Sequence, residues 1–159
     1  MSQCMIWMMG LLWMMGLLWM PLDWDRVRSA YPMAVEDRDL CASLIQELSG
    51  HPDRETGDRA LQLAYQGGFQ TIWAQHVLNP IAKLRTFNQG REQIEKAVTM
   101  DPDSPEIRYI RLSVQQNAPR FLGYKGSIKK DTEFLRQNQG RISSNLVKNN
   151  VLRLIGETI

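Results

Sequence analysis

The chain has 159 residues, of which 43% are hydrophobic and 23% charged, and it carries a net charge of +2. That length suggests one globular domain of ordinary composition, and the near-neutral balance offers no global case for a nucleic-acid partner. Of two cysteines, Cys4 falls in an apolar leader, which leaves Cys41 alone, with neither a disulfide framework nor a metal set around it.

Residues 4–22 hold no charge and include Trp7, Trp13 and Trp19 at six-residue spacing. Six residues turn a helix by about 600°, so the tryptophans share no face and the run supplies bulk hydrophobicity only. Its length fits a secretory signal or a short membrane span. No Lys or Arg precedes it, and no small-residue cleavage site precedes Asp23. We expect export, with residues 1–22 as a signal peptide and 23–159 as the helical domain. The alternative is a membrane anchor formed by residues 5–22.

From Asp23 onward the apolar spacing is helical. Asp23 or Asp25 caps a helix to about Tyr31, which Pro32 interrupts or kinks. A second helix covers about Glu36–Leu48 with Leu40, Leu44, Ile45 and Leu48 inward, and its lone thiol, Cys41, is expected to be buried and inert. A third runs from Thr56 or Asp58 to Val77. Its Gly67-Gly68 pair breaks the pattern and invites close approach by another helix. Asn79-Pro80 opens a fourth, to Met100, with Ile81, Leu84, Phe87, Ile94, Ala97 and Val98 on the core side and Gly90 as a point of division.

The stretch Asp101–Asp131 is the most specific in the chain. Asp101-Pro102 closes the fourth helix. Ser104, or Asp103 with Glu106, caps the fifth, with Pro105 at its first position. Ile107, Ile110 and Val114 form one buried stripe, each worth about 1.5–3 kcal/mol. Tyr109 and Leu112 lie off it, so this helix is expected to pack between neighbours. Arg108, Arg111 and Gln115 form a second stripe, and Asp131 is the carboxylate expected to meet Arg111.

Asn117-Ala118-Pro119 ends that helix. Phe121, Leu122 and Tyr124 surround Gly123 in a loop expected to tuck into the core, the rival reading being a ligand-lining loop. Ser127 then caps a helix that Gly140 ends, and a last helix covers about Ile142–Ile155 with Leu146 and Leu152 among its apolar residues. No segment alternates with period two, so no sheet is expected.

The expected fold is all-α, a compact bundle of six or seven helices. Ala74–Pro102 lies loosely on the tetratricopeptide pattern, with Gly90, Ile94, Ala97 and Pro102 in matching places, which suggests one degenerate helical hairpin. The ordered motifs Leu63–Gly68, Asn79–Leu84, Pro105–Leu112 and Pro119–Tyr124 resemble a family of small, uncharacterised, exported helical proteins of Bacteroidota. The resemblance spans about Asp23–Gln137. It implies a signal peptide and an all-helical domain, and carries no activity, cofactor or site residues.

Residue chemistry adds little. His51 and His76 are the only histidines, and no HExxH, CxxC, phosphate loop or GxSxG occurs. We therefore expect no catalytic, cofactor or metal residues. Residues 23–103 carry 9 basic and 13 acidic side chains and residues 104–159 carry 10 and 4, halves expected to neutralise each other across the fold. The leading expectation is a non-enzymatic, periplasmic or envelope-associated module that binds a protein or peptide. Its candidate structural or interaction residues are Arg108, Arg111, Asn117, Phe121, Tyr124 and Asp131. The alternative is an envelope enzyme with an open cleft at Arg108, Arg111, Tyr124 and Asp131. Peripheral membrane association through residues 125–159 is a third reading.

Overall fold

The computed structural model describes residues 22–50 and 56–156. The leader and the His51-Pro52-Asp53 loop lie outside the described residues. Those described form seven α-helices and no strands. They are α1 (Trp24–Met33), α2 (Arg38–Gly50), α3 (Thr56–His76), α4 (Pro80–Met100), α5 (Pro105–Asn117), α6 (Ile128–Gln137) and α7 (Asn145–Gly156). Short 3-10 turns at Arg120–Leu122 and Gln139–Arg141 flank α6.

Local chemistry sets most of the starts. Asp23 accepts the Arg26 N–H at 3.1 Å, and Asp37 accepts that of Leu40 at 2.9 Å. Asn79 accepts the N–H groups of Ile81 and Ala82, both at 3.0 Å, with Pro80 at the first helical position, where no donor is missed. Ser104 plays the same part for α5, ahead of Pro105. Ser127 precedes α6 without a side-chain capping bond. Pro32 does not stop α1, which runs one residue past it, and α7 starts later than its apolar spacing suggests because the 3-10 turn uses up Gln139–Arg141.

The most extensive helix–helix contact is between α3 and α4, which pack antiparallel. Neither Gly67-Gly68 nor Gly90 interrupts its helix. Instead they let the two backbones meet. A Cβ at Gly67 would lie 2.6 Å from the Gly90 carbonyl oxygen, and one at Gly90 would lie 2.5 Å from that of Gly67. Gly68 serves a different neighbour, since a Cβ there would strike the Tyr31 ring of α1 at 2.7 Å.

Helix α5 is the hub, packed against α3, α4, α6 and α7. This is why Tyr109 and Leu112 are buried along with the Ile107–Ile110–Val114 stripe. Beside it Tyr31 meets Tyr65, Phe69 and Tyr109 edge-to-face, with centroids 5.4–6.2 Å apart. Cys41 is fully buried, its thiol donating to the Phe69 carbonyl at 3.4 Å. Burial pushes that thiol up to about 11, so it is inert at neutral pH.

Two expectations about the core, on the start of α4 and on Phe121, are corrected. Ile81 and Leu84 are exposed (73% and 46%), because no helix covers the first turns of α4. Leu146 and Leu152 lie on the outer side of α7, and the inward residues are Val147, Val151 and Ile155. Phe121 is 84% exposed. The 3-10 turn directs it outward while Leu122 is half-buried and Tyr124 is buried.

Candidate functional site

The six candidate residues divide between two places. Arg108, Arg111, Asp131 and Tyr124 join Glu95 in a closed ionic knot between α4, α5 and α6. Asn117 and Phe121 belong to an apolar groove elsewhere on the molecule.

Arg108 and Arg111 lie three apart on α5 and so project from one face. Arg111 holds Asp131 with two donors, Nε to Oδ2 at 2.7 Å and Nη2 to Oδ1 at 2.7 Å, and reaches Glu95 Oε2 from Nη1 at 3.0 Å. Arg108 adds Nη1 to Asp131 Oδ1 at 2.9 Å and uses Nε and Nη2 on the Pro102 carbonyl, at 3.0 and 2.9 Å. Asp131 is 0% exposed. Tyr124 donates to Glu95 Oε1 at 2.6 Å, with its ring edge-on to Phe87 and under the Arg91 guanidinium. Two cations and two anions balance. Burial opposes the charge on Arg111, but Asp131 and then Glu95 outweigh it and hold the guanidinium above its ordinary value. Burial, reinforced by the Glu95 hydrogen bond, drives the Tyr124 phenol well up. Neither arginine is unpaired, and no knot residue lines the main cavity. Each guanidinium is engaged by carboxylate or carbonyl acceptors.

A second polar link ties α1 to α5. Arg28 donates twice to Glu106, at 2.8 and 3.0 Å, and Tyr65 donates to the same carboxylate at 2.7 Å. The Glu106 hydrogen bond raises the Arg28 guanidinium above its usual value despite burial. His76 is structural in its surroundings, its Nε2 lying 3.4 Å from the Ala34 carbonyl and its ring against Trp73. Among the described residues, no group of three or more His, Cys, Asp or Glu is arranged to hold a metal ion.

The open feature is a groove of about 790 Å³ between the end of α1, the end of α3, the start of α4 and the end of α5. Its apolar lining includes Ile72, Ala74, Phe87, Val114, Ala118 and Leu122. Volume and lining fall in the usual range for a binding cleft. Val35, Leu84 and Phe121 line it while remaining exposed. Beyond Leu84 the apolar surface continues through Ile81, in a shallower pocket with Arg85. Leu78, in the turn between α3 and α4, is 96% exposed. The hydroxyls in the groove are already engaged, Tyr31 with Ser113 at 3.0 Å and Thr71 with the Gly68 carbonyl at 2.7 Å. Asn117 donates to the Ser113 carbonyl at 2.8 Å. One lining residue is charged, Lys83.

Sequence reasoning named Asn117 and Phe121 but missed the α4 wall of this groove, although a signal for it exists. At 100° per residue, Lys83 lies within about 20° of Ile94 around α4, on the core face. A lysine there marks a stretch that no helix covers. Leu84 and Ile81 diverge from Ile94 by about 80° and 140°, so they lie off the buried stripe.

Comparison with protein-family models, curated proteins and solved structures returned no match. Among the described residues no helix is long and apolar enough to cross a membrane.

Proposed function

We propose that this chain is an exported, non-enzymatic helical domain of the cell envelope that holds a protein or peptide partner in the groove between α1, α3, α4 and α5. The observation that carries the reading is an open apolar cleft whose wall residues Leu84 and Phe121 stand in water. Exposed apolar surface of this kind marks a site of association. The sealed arginine knot acts as a rivet that keeps α4, α5 and α6 in register behind the groove. The antiparallel α3–α4 pair supports a scaffold role, while the Ala74–Pro102 run that suggested a tetratricopeptide unit falls mostly within the single helix α4, and the uncharged leader supports export, by signal peptide or by anchor.

Two measurements test this. The N-terminal mass of the protein recovered from envelope fractions reports the fate of the leader, and recovery of the intact chain from the cytosol alone would rule out export. A photo-crosslinking residue at Leu84 or Phe121 should give a discrete adduct that the same residue at Lys129, on α6, does not. Equal labelling from all three positions would refute the groove as the docking site.

A further inference from the structure

We infer that the groove's occupant is an amphipathic α-helix whose polar side is acidic, an inference that rests on the docking role proposed above. Among the described residues there is no strand, so they offer no sheet edge to which an extended peptide could add itself. A cleft walled by helices and lined by spaced apolar side chains accepts instead the i, i+3, i+4, i+7 ridge of a helix.

The charges around the groove choose the partner's polar side. Lys83 is exposed and lines the cleft, next to Leu84, and Arg85 lines the shallower continuation. Arg120 is exposed immediately before Phe121. Three acids lie nearby, none of them in the lining of the cleft. Asp37 caps α2, and Glu36 beside it follows Val35 at the other wall, while Glu92 borders only the shallower pocket. A helix seated on Leu84 and Phe121 would thus meet Lys83, the one charged residue of the lining, which favours a carboxylate there and disfavours a lysine. The chain's own leader fits less well, because residues 4–22 hold no carboxylate to answer Lys83. A bilayer fits less well too, since a lipid surface presents no ridge to fill a concave cleft.

The test uses the full chain and two labelled helical peptides that share one leucine face, with a glutamate or a lysine polar face, read by fluorescence anisotropy. The glutamate peptide should bind about tenfold more tightly at low salt, and the gap should close as salt rises. Lys83→Glu should erase the preference without altering the helical signal, and Leu84→Glu should abolish binding of both peptides. Equal binding of the two peptides, still lost in Leu84→Glu, would overturn the acidic partner and leave the groove reading intact. Binding to phosphatidylglycerol vesicles but to neither peptide would make the partner a membrane. A disulfide between Cys4 and Leu84→Cys, with no peptide bound, would make the leader the occupant. Absence of all of these would overturn the groove reading itself.

Discussion

Arg111 and Asp131 are joined by two parallel hydrogen bonds of 2.7 Å inside the protein, and the carboxylate is fully shielded from water. The pair gives α5 and α6 a single relative register. Removing one partner strands the others. Asp131→Ala leaves two buried guanidinium groups without their shared anion and should cost about 3–5 kcal/mol, measured as a shift in the urea midpoint. Glu95→Gln should cost clearly less, because Glu95 keeps 41% of its side chain in solvent. Equal losses from the two substitutions would refute the asymmetry.

The glycines of the bundle are not equivalent. Gly67→Ala and Gly90→Ala each drive a methyl into a backbone carbonyl and should destabilise by about 1–3 kcal/mol, despite alanine's better helix propensity. Gly50→Ala, with nothing within 4 Å of the added carbon, should be neutral or slightly stabilising. Gly123 has open space but a φ of 63°, so alanine there is strained by about 1–2 kcal/mol. Thermal melts of the four variants check the ranking.

Alkali should loosen the domain in a defined window. Burial raises Cys41 from 9.0 to about 11 and Tyr109 from 10.0 to about 12, the latter against a hydrogen bond from Asn150. Each group is neutral when protonated, so the folded state binds the proton more tightly than the unfolded one. Their contribution is complete below pH 9, declines from there, and is gone above pH 12. Urea midpoints should hold level to pH 9 and then fall, with Cys41→Ala removing the earliest part of the decline. A midpoint that rises between pH 9 and 12 would contradict the sign.

Phe121 and Tyr124 lie three residues apart and should behave oppositely. Phe121→Ala should change stability by no more than about 0.5 kcal/mol, since its ring already faces water. Tyr124→Ala should cost about 3–5 kcal/mol, from the emptied site behind Phe87 and the lost bond to Glu95. If the groove is the docking site, Phe121→Ala weakens partner binding and Tyr124→Phe does not.

The parts of this fold readable from sequence are those decided within a few residues. Ser104-Pro105 starts α5, Asn79-Pro80 starts α4, and an arginine among apolar neighbours must find a carboxylate or carbonyl, which is how Asp131 could be matched to Arg111. The all-helical class follows from spacing alone. The groove was not readable in the same way: helical phase alone puts Ile81 and Leu84 off the buried stripe, but that Lys83 and Phe87 line a cleft depends on where α1 and α5 end, a matter of tertiary arrangement. Phe121 was misplaced for a related reason. An aromatic residue in a loop has no period to orient it, and a three-residue turn sends neighbouring rings to opposite sides.

The contact between Gly67 and Gly90 lies within a hairpin of consecutive helices, whereas Arg28 lies 78 residues from Glu106. Closing the shorter loop loses less entropy, so the order of assembly should run outward from the middle of the chain, with α1 docking late. Substitutions at the two glycines should then slow refolding, and substitution of Arg28 should mainly hasten unfolding, and the opposite kinetic pattern would place the nucleus elsewhere.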